Sequence, residues 1–405
     1  MRSILYQLLM HLVSKGFVFL GSIYTFKILG PSEVGLAASY IAIYVFGSLF
    51  CDLGLSVVGV RSVLSLKKEE KVPIILDIIN VKFYLSLVVN LIFLIVYIIF
   101  GNRLLSVSSL FLGFIFIINT AMNVEWIFQA NNLLKKYSLL QLINGIVQLS
   151  LIIVLYQLNA NANIYIGCLI FSQTITNFLG YKLLGFYPII SLVNFSKIKY
   201  YIIEGRYAFG SVLAIYVYTA LELPLIGILS NIEMMGIYKA AQQIPLGITP
   251  LLALAPLILY PKLNLWKLQD LTLLRNNFLR SIFILTIISI LLALFLTIFH
   301  HYFFIEIYDE RYVLSQTPSL VLCISKCIVL IGVAPVQLLY VFRKDKILLK
   351  IMIIVGLISI ALNLLLIPSY GIFVSSLINL FSEILVTIIC FILAWPLLKK
   401  PGSRT

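Results

Sequence analysis

The feature that most constrains this chain is the spacing of its charges. Along all 405 residues, apolar stretches free or nearly free of Asp, Glu, Lys and Arg recur, most of them at or above the roughly 20 residues needed to cross a bilayer. Runs bounded by charges, Gly or Pro lie at 4–29, 34–60, 79–100, 104–129, 139–158 and 163–186, then at 206–229, 236–261, 278–299, 318–342, 347–367 and 371–396. Residues are 62% hydrophobic and only 11% charged, against about 25% charged in an ordinary soluble domain. That is too little polar surface to cover a water-soluble globule. The prediction is an all-α polytopic membrane protein with twelve transmembrane helices, short loops and no separate soluble domain. The opening MRSILYQLLMHLVSKG is basic and apolar, but Lys15 interrupts it and no small-residue cleavage site follows, so it reads as a retained first span.

The basic residues test that count, because Lys and Arg collect in loops on the cytoplasmic side. Of the 29, only Arg103 and Arg311 fall in loops on the opposite side, and Lys15, Lys27, Lys239 and Lys326 fall inside spans. The others lie in the amino terminus, in the loops after even-numbered spans with their flanks, and in the carboxyl tail. Both termini are therefore expected in the cytoplasm. The net charge of +14 needs no nucleic acid, since a basic inner face beside anionic lipid of the bilayer accounts for it.

An internal echo divides the chain. ILGPSEVGLAAS at 28–39 resembles ILSNIEMMGIYKAA at 228–241, and the pairs Lys135-Lys136 and Arg343-Lys344 follow the fourth and tenth spans. Two six-helix bundles in parallel duplication follow, an arrangement that places a cavity at their interface. The predicted division is an N-terminal bundle at 1–186, a cytoplasmic linker with interfacial character at 187–205, and a C-terminal bundle with a short basic tail at 206–405.

Ionisable groups at mid-membrane cost about 2.5 to 3.5 kcal/mol each. Lys15 lies about 11 residues, or roughly 16 Å, into its span at 1.5 Å per residue, and Lys326 about 12 Å below the outer face by the same rise. Both must face protein or water. Lys27 and Lys239 are nearer the outer ends, where snorkelling is an equal explanation. Asp52, Glu125, Glu222 and Glu383 are the acidic counterparts, available to bind a coupling ion or to neutralise the lysines. Helical spacing aligns Ser375, Asn379, Glu383 and Thr387, then Ser211, Tyr218 and Glu222, then Gln7, His11 and Lys15. Asn119 with Asn123, and Gln141 with Asn144 and Gln148, extend polar faces to spans four and five. Together these faces predict an aqueous inner surface, while any single Asn or Gln is as readily an interhelical hydrogen-bonding residue. Pro224, Pro245, Pro250, Pro256 and Pro335 mark bending sites, as hinges or as static kinks.

Enzyme motifs are missing from the sequence: no phosphate-binding glycine loop, no HExxH, no Ser-His-Asp set on a domain. His11, His300 and His301 have no metal spacing, and Cys51, Cys168, Cys323, Cys327 and Cys390 all sit in apolar runs as expected of reduced, packed thiols. No catalytic residue, metal or cofactor is expected.

Four segments, FKILGPSEVGLAASY at 26–40, DLGLSVVGVRS at 52–62, EWIFQANNLLKKYS at 125–138, and MGIYKAAQQIPLG with LYPKLN within 235–264, resemble Wzx-type O-antigen flippases. These belong to the polysaccharide branch of the multidrug/oligosaccharidyl-lipid/polysaccharide transporter superfamily. Gly30, Pro31, Gly35, Trp126, Gly236, Tyr238 and Pro261 match the commoner family positions, and Ala130 stands where the family often has Gly.

The resemblance implies a bacterial inner-membrane protein of lipopolysaccharide biosynthesis. It would carry undecaprenyl-diphosphate-linked repeat units from the cytoplasmic to the periplasmic leaflet by alternating access, with or without a proton or sodium gradient. A polysaccharide polymerase and chain-length machinery would act next. Related flippases have a cationic cavity, the role expected here of Lys15 and Lys326, with Lys27 and Lys239 outside them. Asp52, Glu222, Glu383, Asn379, Asn123 and Tyr218 are the polar or ion-coupling candidates. The alternatives are a multidrug or cation antiporter of the same superfamily and a membrane glycosyltransferase or polysaccharide polymerase. The antiporter should show more deep carboxylates than lysines. The polymerase should show a large outer loop, whereas 300–317 is short, with Glu306, Asp309, Glu310 and Arg311 its only charges.

Overall fold

The computed structural model describes residues 2–64, 68–100, 106–158, 160–191 and 195–398, and among them no strand occurs. The predicted basic tail at 399–405 lies outside the described residues. Spans of the first half are occupied by α1 (Arg2–Ile28), α2 (Pro31–Asp52) with α3 (Leu55–Leu64), α4 (Lys68–Phe100), α5 (Val107–Ala121) with α6 (Glu125–Ala130), α7 (Leu134–Leu158) and α8 (Ala162–Leu184). Those of the second half are α9 (Phe195–Ala220) with α10 (Glu222–Leu229), then α11 (Ile232–Ala241), α12 (Gln243–Leu246) and α13 (Thr249–Gln269) in series. After them come α14 (Leu271–Ile307), α15 (Gln316–Val341) and α16 (Asp345–Ala394).

The last helix supplies two crossings. Gly371 breaks it with φ 66 and ψ −155, a backbone setting open to glycine and strained for other residues. Ser375 Oγ then donates to Asn363 Oδ1 at 2.7 Å. In a straight helix the 12 residues between them would put these groups about 18 Å apart, so the chain doubles back at Gly371. With that reversal the architecture is an all-α, multi-pass membrane protein of twelve helical crossings. Seven segments among the described residues are long and apolar enough to cross on length and composition alone, and one of them, Asp345–Leu398, is 54 residues long. Outside this set are α1, α8 and the seventh and eighth crossings, the last two broken into short helices.

Proline explains most of those breaks. A proline has no N–H to give and is tolerated in a helix's first turn, where that N–H would be unpaired anyway. Pro224 stands in the first turn of α10, Pro245 within α12, and Pro250 at the start of α13. The seventh and eighth crossings are therefore chains of short helices. Pro335, by contrast, lies inside the continuous α15. The two echoed segments also start helices alike. Pro31 opens α2 after Gly30, and Asn231 caps α11 by accepting from the Met234 N–H at 2.7 Å.

The chain divides into two compact units, Met1–Leu213 and Ala214–Thr405. In the first, α1 packs on α7, α7 on α8, α2 on α4, α5 and α8, and α5 on α4 and α8, with α3 against α4 and α6. One end is filled by Leu55, Ile75, Ile78, Ile127, Phe128 and Trp126. Segment 187–205 is fastened to this same unit: Asn80 Nδ2 donates to Ser191 Oγ at 3.0 Å, Lys197 pairs with Asp77 at 2.7 Å, and Tyr201 is buried. In the second unit α15 is central, packed by α11, α12, α13, α14 and α16. All five cysteines are buried as free thiols.

Candidate functional site

Asp52 ends α2, and the chain then passes through Leu53 (φ 41) and Gly54 (φ 78) into α3. This left-handed turn brings Ser56 back to Asp52. The Ser56 hydroxyl donates to Asp52 Oδ1 at 2.5 Å, and its N–H donates to the same oxygen at 3.3 Å. From α4, Lys82 Nζ reaches Asp52 Oδ1 at 2.6 Å and Ser56 Oγ at 2.7 Å, and lies 5.3 Å over the Trp126 ring. Lys82 is 2% exposed and Asp52 is 35% exposed. The ammonium is thus sealed in protein with its charge matched, while the carboxylate keeps a side open to a cavity of about 360 Å³. Thr120, Asn123, Glu125 and Gln129 line the same cavity.

Lys82 was not among the sequence-predicted site residues; it counts with the basic flank of span three. Its signal is nonetheless there. Glu69, Glu70 and Pro73 are suited to a helix's first turns, so α4 begins at Lys68, well ahead of the predicted edge. Lys82 then continues the buried stripe of Ile75, Ile78 and Ile79 that runs on through Ser86 and Val89.

Asn123, in the turn between α5 and α6, accepts from the Glu125 N–H at 2.7 Å. Glu125 accepts from the Tyr137 hydroxyl at 3.0 Å, and Gln141 Nε2 donates to that hydroxyl at 2.5 Å. Thr120 and Asn123 also line a second cavity of about 250 Å³ with Asn119, Asn144, Gln148 and Gln173. The polar faces predicted on spans four and five therefore meet in one unit, joined by α8, whose Ser172, Thr176 and Asn177 are buried.

In the second unit Glu222 opens α10. It accepts from Gln242 Nε2 at 2.9 Å and from Asn379 Nδ2 at 3.1 Å, and Ser325 Oγ donates to Asn379 Oδ1 at 2.8 Å. Lys326, half-buried beside Ser325 on α15, acts on Glu222 electrostatically. The Tyr238 hydroxyl is buried near Glu222 and Ser375 but outside hydrogen-bonding geometry with either. The stripe predicted on the last crossing is thus largely engaged in helix-to-helix hydrogen bonds.

The remaining predicted residues are more dispersed. Lys15 is exposed on α1, next to Ser14, whose hydroxyl donates to the Gln141 carbonyl of α7 at 2.6 Å. Lys27 is exposed in the last turn of α1, Lys239 is half-buried on α11, and Glu383 is half-buried on α16. The side chain of Tyr218 lies outside the described residues. In the segment between α14 and α15, Arg311 holds Asp309 through its Nη2 at 2.9 Å and its backbone N–H at 3.3 Å, and these hydrogen bonds lower the Asp309 carboxyl below the usual carboxylate range. Among the described residues no group of three or more His, Cys, Asp or Glu is placed to hold a metal ion.

The sequence profile of a family described as polysaccharide biosynthesis protein matches residues 1–263. The chain belongs to the polysaccharide biosynthesis protein family. The match holds all of the first unit, with Asp52, Lys82 and both cavities, and reaches Glu222 and Gln242 in the second. No curated protein shows significant sequence similarity to this family member. Solved structures do resemble it. An inward-facing multidrug resistance MATE family transporter of the MOP superfamily matches with a TM-score of 0.74 at 15% identity, covering 96% of each chain. The lipid II flippase MurJ in an inward closed conformation matches with a TM-score of 0.69 at 12% identity, covering 97% of this chain and 86% of that one. A MOP superfamily transporter from Pyrococcus furiosus, described as having a binding pocket of reverse polarity, matches with a TM-score of 0.59 at 15% identity over 98% and 95% of the two chains. At such identities the likeness establishes the fold.

Proposed function

We propose that this protein is a flippase, not an enzyme. It would carry undecaprenyl-diphosphate-linked repeat units of O-antigen or a similar surface polysaccharide from the cytoplasmic to the periplasmic leaflet of a bacterial inner membrane. Both termini would be cytoplasmic. The observation that carries this reading is a pair of polar cavities inside a membrane-spanning unit of a polysaccharide biosynthesis family member. A diphosphate bearing sugars cannot enter hydrocarbon, because stripping water from charges and hydroxyls without replacing their partners is prohibitively costly. Side chains that replace those partners lower the barrier, while the lipid tail stays in the bilayer. The likeness to a lipid II flippase and to MATE transporters supports transport by a rocking of two bundles, 1–186 and 206–405, about the 187–205 linker.

In this reading Lys15 and Lys326 pair with the diphosphate, with Lys27 and Lys239 toward the outer ends. Glu222, with Asn379, and Glu383 are the positions for a coupling proton or sodium ion. Asp52 is less suited to that task, since Lys82 already neutralises it. A polymerase and chain-length machinery would receive the delivered cargo.

The test is transfer of a lipid-linked oligosaccharide across reconstituted vesicles. Protein-dependent appearance of the glycan on the far leaflet is expected. Transport of an organic cation in its place would convert the reading to an antiporter, and joining of repeat units by the purified protein would convert it to a polymerase.

A further inference from the structure

The two cavities of the first unit differ in charge. The larger contains Lys82, Asp52 and Glu125. The smaller, about 250 Å³, contains none: Asn119, Asn123, Asn144, Gln148 and Gln173 line it with Thr120 and Ser172, and Phe116, Leu169 and Ile170 supply an apolar wall. Some of these amides are engaged at both oxygen and nitrogen. Asn119 donates to the Ile170 carbonyl at 3.1 Å and accepts from Asn177 at 2.7 Å. Gln148 is only 4% exposed and borders the cavity. Asn144 uses its oxygen toward Thr176 at 3.3 Å and Asn123 its oxygen toward the Glu125 N–H, which leaves both NH₂ groups available.

The Gln148 amide lines the cavity, where a ligand hydroxyl can take the place of water on it. An amide presents one acceptor and two donors with no net charge. A hydroxyl-bearing ring offers matching donors and acceptors, and its C–H face fits the Phe116, Leu169 and Ile170 wall. A diphosphate or a metal cation finds no counter-charge here. We propose that this cavity binds one uncharged sugar ring of the transported glycan. The site thus reads the sugar and not the diphosphate, and its size suits a single ring, being smaller than the usual range for drug-sized ligands. The identity of the ligand as part of the cargo rests on the flippase reading; the uncharged-sugar chemistry rests on the cavity alone.

The experiment is saturation-transfer NMR on the full-length protein in detergent, with glucose, N-acetylglucosamine and glucuronate as separate probes and inorganic pyrophosphate as a competitor. Transfer to one of the neutral sugars, weaker for glucuronate and not displaced by excess pyrophosphate, is expected. Gln148→Leu should lower the neutral-sugar signal at least tenfold with the melting temperature kept within a few degrees. Gln173→Leu, at a half-buried and less confined position, serves if Gln148→Leu fails to fold. Absence of any sugar signal in the wild type overturns the proposal, as does a signal unchanged in a folded variant. Failure of the flippase reading is separately visible: sugar binding lost in Gln148→Leu, but no lipid-linked glycan moved by wild-type vesicles.

Discussion

Lys82 and Asp52 meet at 2.6 Å with very different access to solvent, the lysine 2% exposed and the aspartate 35% exposed. Removing either partner therefore has unequal effects. Asp52→Asn leaves a sealed ammonium without its counter-charge and should destabilise by about 3 to 5 kcal/mol. Lys82→Met leaves a carboxylate that keeps both Ser56 hydrogen bonds and an open side toward the cavity, and should cost about 1 to 2 kcal/mol. The double variant should recover much of the Asp52→Asn loss. Thermal unfolding in detergent checks the order, and equal losses for the two single variants would contradict it.

Gly59 of α3 lies against the Trp126 ring, where an added Cβ would come within 2.5 Å of Cζ3. Gly59→Val should therefore overpack this contact and cost about 1 to 3 kcal/mol. Trp126 emission reports the same event, because a displaced indole changes its surroundings. An unshifted spectrum together with an unchanged melting point would mean that the ring moves aside freely.

If Lys15 and Lys326 meet the diphosphate, their Ala variants should slow vesicle transfer of the lipid-linked oligosaccharide at least tenfold while the protein melts as before. Neither lysine makes a direct ion pair among the described residues, so little stability is at stake. Full transfer by the double variant would remove them from the substrate's path.

Glu222→Gln tests coupling. The carboxylate accepts from both Gln242 and Asn379, and an amide can accept from one and must turn its NH₂ toward the other. Transport by the variant should lose its response to an imposed proton or sodium gradient while retaining a slower, gradient-independent rate. A full gradient response in Glu222→Gln would place coupling elsewhere, with Glu383→Gln the next variant to measure.

Much of the fold is legible in the sequence because crossing a bilayer imposes length and apolarity together. All twelve predicted spans coincide with helices, and Pro224, Pro245 and Pro250 sit where the seventh and eighth crossings break. The site is less legible, because side chains pair across helices that are distant in sequence. Nothing local distinguishes Lys82 from a flanking lysine; its meaning comes from Asp52, 30 residues earlier, and from the turn at Leu53 and Gly54. Similarly, spacing places Asn379 on a polar stripe, but its partner Glu222 lies 157 residues away. Gln148 is visible on a polar face, while the cavity it borders becomes evident only once α5, α7 and α8 enclose it.

The reversal at Gly371 leaves almost no hydrophilic chain between the last two crossings. Proteases or membrane-impermeant labels applied to that surface would find nothing to cut or modify there. Topology mapping by such reagents would count the pair as a single long segment and misplace the carboxyl terminus, unless a reporter were inserted beside that glycine.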